Sequence, residues 1–288
     1  MFVILNGYFD TSSDIEGMEL VADYASEGST LHWHTEGEGQ DVVLVHGWGM
    51  NGAVWHQVVE QLRSQFRVHV VDLPGYGFSH LQSADSLEQI TQRVLEQAPR
   101  KAVWVGWSLG GLISSHIAAT EPDRVQGLVT VASSPKFAAD RPWRGIQPKV
   151  LDTFTSQLLL DFKVTVERFM ALQAMGSPTA RTDVKLLKRA ILTRPEPNKD
   201  ALLLGLQMLA EVDLRHVMQD LSVPMLRLYG RLDGLVPVKV AQDMQSLAPR
   251  SDQHIFAQSS HAPFMTELDE FCHQLSSFSR SCLSETAD

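Results

Sequence analysis

Ala102-Val103-Trp104-Val105-Gly106-Trp107-Ser108-Leu109-Gly110-Gly111-Leu112-Ile113 is the stretch that decides the fold. It opens with a short apolar run at 102–106, the kind that forms a strand buried on both faces. It closes by starting a helical pattern, in which Leu112, Ile113, His116 and Ile117 share one face. Between the two, Gly106-Trp107-Ser108-Leu109-Gly110 matches G-x-S-x-G. A strand, a sharp turn and a helix form the context in which that pattern carries chemistry. Glycines on both sides let neighbouring chain close in on a strained serine, whose hydroxyl then projects at a helix N-terminus. The spacing predicts Ser108 as a nucleophile. The bland alternative is an ordinary helix N-cap serine.

Working outward, the alternation continues. Strands are predicted at 31–34, 42–45, 67–72, 102–106 and 127–131, with helices at 53–64, 86–97 and 109–120. Alternating strands and helices predict an α/β fold, with a mostly parallel sheet covered by helices on both faces. The alternation lapses after residue 135. Residues 136–220 read as mostly helical, with breakers at Pro148, Gly176-Ser177-Pro178 and Pro195-Glu196-Pro197. Strands resume at 224–230 and 254–257. The expected organisation is therefore a core of 31–135 and 221–288, with a helical cap, 136–220, inserted between late strands. A cap there would cover the edge where open α/β sheets bind ligands. Residues 1–30 show no clear period and read as an N-terminal extension of unassigned role.

Composition narrows the function classes. At 288 residues, 44% hydrophobic and 20% charged, the chain can fold without disulfides or a structural metal. Its two cysteines, Cys272 and Cys282, make no disulfide framework and no zinc motif, which points to a reducing compartment. No apolar run reaches membrane-span length, and the N-terminus lacks a basic region before Asp10. A cytoplasmic monomer is expected, with no membrane contact. The net charge of −10 argues against a nucleic-acid partner. That charge is uneven: 163–194 carries +5 and the rest of the chain −15. Such an island is either a docking site for an acidic partner or a solvated helix face. No signature for a nucleotide, flavin or metal is present, and the chemistry below needs no cofactor.

A serine hydroxyl attacks at neutral pH only when a base takes its proton. Asp233, in Arg231-Leu232-Asp233-Gly234, follows one late strand, and His261, in Ser259-Ser260-His261-Ala262-Pro263, follows the last. The order Ser, Asp, His suits this strand–turn–helix context. His261 is the expected base and Asp233 its orienting acid; a surface histidine and a turn aspartate are the alternatives. His46-Gly47-Trp48-Gly49 follows an earlier strand. The backbone N–H groups of Trp48 and Leu109 are the expected oxyanion donors, with His46 supporting the loop. Asp72, before Leu73-Pro74-Gly75, is expected to serve loop structure.

These residues resemble a known family. From about Leu31 to Phe278 the chain is similar to the pimeloyl-[acyl-carrier protein] methyl ester esterases of biotin synthesis, members of the α/β-hydrolase superfamily. The likeness runs through Leu44-Val45-His46-Gly47-Trp48-Gly49, Gly106-Trp107-Ser108-Leu109-Gly110-Gly111-Leu112 and Val131-Ala132-Ser133-Ser134-Pro135. It continues in Thr165-Val166-Glu167-Arg168-Phe169, Ala171-Leu172-Gln173, Leu232-Asp233-Gly234-Leu235-Val236-Pro237 and His261-Ala262-Pro263-Phe264. It implies hydrolysis of the methyl ester that masks the far end of a pimeloyl chain carried on acyl carrier protein. Trp48, Phe169 and Gln173 would line the substrate pocket with Ser108, Leu109 and His261. Arg168, Arg181, Lys185 and Arg189 would dock the acidic carrier. Residues 1–30 precede the family's usual start, and Lys163-Val164 stands where related chains carry a further basic residue.

Ser108 alone does not separate this activity from a general short-chain carboxylesterase or a C–C bond hydrolase of the same fold. A non-catalytic binding module is a further alternative, which the presence of all three polar residues disfavours.

Overall fold

Short apolar runs bounded by glycine or turn residues become strands because both of their faces can be buried. The structure, a computed structural model, describes residues 30–284. The expected N-terminal extension falls, but for Thr30, outside the described residues. The chain runs through β1 (Trp33–Glu36), β2 (Gln40–Val45), α1 (His56–Leu62), β3 (Phe66–Val71), α2 (Leu87–Gln97), β4 (Ala102–Trp107), α3 (Leu109–Thr120) and β5 (Val125–Val131). Four long helices follow: α4 (Pro148–Leu160), α5 (Phe162–Ala174), α6 (Ala180–Leu192) and α7 (Lys199–Glu211). After them come α8 (Arg215–Met218), β6 (Met225–Gly230), α9 (Val240–Leu247), β7 (Asp252–Phe256), α10 (Pro263–Thr266) and α11 (Leu268–Ser284).

The sheet order is β1-β3-β2-β4-β5-β6-β7. Only β1 is antiparallel, pairing Trp33 with Val71 and Glu36 with Val68; the remaining neighbours are parallel. Every residue of β4 and β6 is buried, as is the last two-thirds of β2. The chain leaves β2 to one side for β3, then crosses back to β4 on the other. That reversal puts a crevice at the carboxyl ends of β2 and β4.

Strand ends differ from the sequence reading by one or two residues throughout, and at two of them the reason is visible. The first strand begins at Trp33, because the Leu31 and His32 amides donate to the Gln97 and Ser79 side chains instead of a ladder. The last begins at Asp252, two residues early. It lies at the sheet edge with its first residues exposed, so Asp252-Gln253 carry no apolar signal. Pro148 breaks nothing: it opens α4, where a missing N–H is no loss. The break that periodicity misses is at Asp161, which ends α4 and caps α5 by accepting the Val164 amide at 3.1 Å. No helix among the described residues is long and apolar enough to cross a membrane.

Candidate active site

Four loops converge at the carboxyl ends of the parallel strands. Ser108 leaves β4 with φ 54° and ψ −118°, a conformation a side-chain-bearing residue rarely adopts. Its amide donates to Val131 O at 2.9 Å, and its carbonyl accepts the Gly111 amide at 2.9 Å. The flanking glycines are obligatory. A Cβ at Gly106 would lie 2.2 Å from Gly110 O, and one at Gly110 would lie 2.4 Å from Val45 O. The nucleophile turn is thus wedged against β2 with no room for alanine.

Ser108 Oγ is 2.9 Å from His261 Nε2, and His261 Nδ1 is 2.8 Å from Asp233 Oδ2. The other carboxylate oxygen, Oδ1, accepts the Leu235 amide at 2.8 Å and the Val236 amide at 3.0 Å. With both oxygens engaged, Asp233 has one orientation available and presents Oδ2 to the imidazole. A proton on Nδ1 then satisfies Asp233 and leaves Nε2 to accept from the serine. The three residues are buried: Ser108 is 2% exposed, Asp233 6% and His261 0%. Excluding water keeps the local dielectric low and strengthens each of these contacts.

Packing fixes the base. Phe264, three residues after His261, sits 4.3 Å from Trp55 and 5.0 Å from Trp107, ring centre to ring centre. Trp107, immediately before the serine, donates its indole N–H to the His261 carbonyl at 2.7 Å. One aromatic cluster therefore holds both the serine turn and the histidine loop. From the other side, the His261 amide donates to the Gln173 carbonyl on α5 at 3.0 Å. Sequence reading assigned neither Trp107 nor the Gln173 carbonyl to this task. Trp107 occupies a variable position of its motif, and a backbone acceptor leaves no trace in residue type.

The loop after β2 abuts the nucleophile: a Cβ at Gly47 would stand 3.2 Å from Ser108 Cβ. No acceptor among the described residues takes the Trp48 or the Leu109 amide, so both remain available to a ligand oxygen. His46 holds this loop by donating from Nδ1 to Gly47 O at 2.9 Å and accepting the Leu73 amide on Nε2 at 3.0 Å. Burial pushes its pKa down to about 4, so it stays neutral. Asp72 is wholly buried. Oδ1 accepts the Gly52 amide at 2.7 Å and Arg194 at 2.5 Å, and Oδ2 accepts the Phe78 amide at 2.8 Å. It is an anchor for three loops and stands apart from the serine.

Trp48 meets Phe169 edge to face at 4.8 Å, and Phe169 meets Phe154 at 5.7 Å. The Trp48 indole N–H donates to Leu202 O at 2.8 Å. Gly205 makes this possible, since a Cβ there would lie 2.5 Å from the Trp48 ring. Gln173 is buried, and its side-chain Oε1 has no hydrogen-bond partner among the described residues. An acceptor left so is costly unless a ligand or water serves it.

The basic island divides in two. Lys163 pairs with Glu196 at 2.7 Å, Lys188 with Glu167 at 3.0 Å, and Arg194 turns inward to Asp72. Arg168, Arg181, Lys185 and Arg189 are exposed and form no ion pair among the described residues. The last three recur every four residues along one face of α6.

Comparison with known proteins places this geometry. Residues 42–268 match the family described as alpha/beta hydrolase fold. The chain is 67% identical over 248 residues to the pimeloyl-[acyl-carrier protein] methyl ester esterase of Vibrio vulnificus strain YJ016, covering 86% of this chain and 97% of that one. The protein of the same name from Vibrio cholerae is 66% identical over the same shares of each chain. Among solved structures, an esterase from Exiguobacterium antarcticum superposes with a TM-score of 0.76 at 21% identity, covering 89% of this chain and 97% of that one, a likeness of fold. Identity this high over nearly the whole length of the relatives decides the assignment: the chain belongs to the pimeloyl-[acyl-carrier protein] methyl ester esterase family of α/β-hydrolases.

Proposed function

We propose that this protein hydrolyses the methyl ester of pimeloyl-[acyl-carrier protein], releasing methanol and the free carboxylate needed for biotin synthesis. The observation that carries the reading is the unbroken hydrogen-bond succession Ser108–His261–Asp233, in a chain two-thirds identical to esterases of that name.

The steps follow from the geometry. Ser108 Oγ attacks the methyl ester carbonyl while His261 Nε2 takes its proton. The tetrahedral oxyanion is met by the Trp48 and Leu109 amides, preorganised donors of the kind whose individual loss costs about 10²–10³ in rate. Asp233 stabilises the imidazolium. The C–O bond to methoxide breaks as His261 returns the proton, and methanol leaves. Water, activated by the same histidine, then cleaves the acyl-enzyme and frees the carboxylate.

In this reading residues 136–220 act as a cap over the core formed by 31–135 and 221–288. Trp48, Phe169 and Gln173 line the acyl path. The carrier docks on the free cations Arg168, Arg181, Lys185 and Arg189. No cofactor, metal, nucleic acid or membrane enters the scheme, and a monomer in the cytoplasm suffices. The deciding experiment compares kcat/KM for carrier-linked and free pimeloyl methyl esters. A preference of tenfold or more for the carrier-linked ester is expected, on the scale of a few docking contacts. Equal rates would leave a general short-chain esterase as the better description.

A further inference from the structure

Among the described residues two non-glycine residues have positive φ, Ser108 at 54° and Ala132 at 45°. The first is explained by the nucleophile turn. The second stands at the end of the neighbouring strand, where the triad makes no demand. Strain of this kind persists where surrounding structure enforces it, and it gathers at functional sites. The Ala132 amide is still in register, donating to Leu228 O at 2.8 Å. The left-handed turn after that bond carries Ser133 back under the nucleophile. There its Oγ donates to the Ser108 carbonyl at 2.8 Å. Ser133 is buried, and a Cβ at Gly111 would lie 2.5 Å from its Oγ, so the glycine is what lets the hydroxyl come up to the Ser108 carbonyl.

The partner of that bond matters. A peptide unit is planar and trans, so the Ser108 carbonyl and the Leu109 N–H point in opposite directions. Whatever fixes the carbonyl aims the amide. The Gly111 and Leu112 amides also reach this carbonyl, at 2.9 and 3.3 Å, as first-turn amides of α3 do at any helix start. Ser133 adds a side-chain donor from outside the helix, on the loop that follows β5.

We infer that Ser133 is a positioning residue of the oxyanion hole, holding the Ser108–Leu109 peptide so that the Leu109 N–H faces the developing oxyanion. The inference rests on the reading of Ser108 as nucleophile and the Leu109 amide as oxyanion donor. Ser133 acts through that peptide and touches no substrate.

The test uses the full chain, with p-nitrophenyl acetate as a small ester and n-butylboronic acid as a tetrahedral mimic. The boron bonds to the serine oxygen and places an anionic oxygen where the oxyanion stands. In Ser133→Ala, kcat is expected to fall about tenfold or more with KM within about twofold, because the lost interaction belongs to the transition state. Boronate affinity is expected to fall by a similar factor. Ser133→Cys keeps most of the volume while weakening the donor, and serves if the alanine variant fails to fold; the same two losses are expected. Folded variants with kcat and boronate affinity both within about twofold of the parent overturn the inference. So does a loss of kcat with boronate affinity unchanged, which would put the defect outside the oxyanion hole. An active Ser108→Ala would instead sink the underlying mechanism. An inactive Ser108→Ala beside a fully active Ser133→Ala would remove this inference alone.

Discussion

The Gln173 carbonyl on α5 accepts the backbone N–H of His261 at 3.0 Å, so the base of the triad is hydrogen-bonded to the helical insertion. Next to it, Ser260 Oγ donates to Met175 O at 2.9 Å. The C-terminal end of α5 and the histidine loop are therefore tied at two points. The same helix carries Arg168 and contacts α6, which bears Arg181, Lys185 and Arg189. The proposed docking face and the base thus both contact α5, which would bring a carrier seated there close to the chemistry.

Reversing charge on that face separates docking from chemistry. In an Arg181→Glu, Lys185→Glu double variant, kcat/KM for the carrier-linked ester is expected to fall about 10–100-fold, while the free ester is turned over within about twofold of the parent rate. Raising salt should erode the parent's preference for the carrier-linked ester, because exposed pairs are screened over about 8 Å at physiological ionic strength. Steady-state kinetics on both esters checks this. Equal loss on the two would count against a docking role.

The Asp72–Arg194 pair ties the chain between α6 and α7 to loops of the core. Removing one partner of a buried pair leaves an uncompensated charge, at about 3–5 kcal/mol in full burial. Arg194→Ala should cost less, about 1–3 kcal/mol, because the Gly52 and Phe78 amides still hold the carboxylate. Asp72→Ala strands both amides and the guanidinium, and should cost more. Urea unfolding of the two variants gives the order; a neutral Arg194→Ala would show that the contact stabilises nothing.

Acid should destabilise the protein through His46. Its folded pKa is depressed to about 4 from 6.5, so between those values the unfolded chain binds more protons. Stability from this group is fully present above pH 6.5 and is lost as pH falls toward 4, by at most about 3 kcal/mol. His32 and His116, also held below the usual range mainly by burial, act in the same direction. Thermal melts across this window should show the decline, and His46→Gln should flatten it. An unchanged slope in that variant would assign the acid sensitivity elsewhere.

The sheet is legible in the sequence because its buried strands are apolar on both faces and stop at glycine, as Val42-Val43-Leu44-Val45 does before His46-Gly47. The positions of Ser108 and Asp233 are legible for the same reason, since each follows such a run, whereas His261 is read from its place after the last strand. The edge strand β7 is less so, since one exposed side removes the pattern. Arg194 is invisible as an anchor. Its partner is 122 residues away, and nothing local separates it from the solvated cations on α6. Ser133 and the Gln173 carbonyl are hidden differently, because their roles depend on where a backbone group points. The positive φ of Ala132, which delivers Ser133, is carried by a residue type that gives no warning of it.

Turnover of the carrier-linked pimeloyl methyl ester by purified, folded Ser108→Ala decides whether this serine is the nucleophile. A loss of about 10⁶ in kcat is expected, leaving only what the oxyanion donors and binding supply. Methanol released at a rate near the parent's would contradict it.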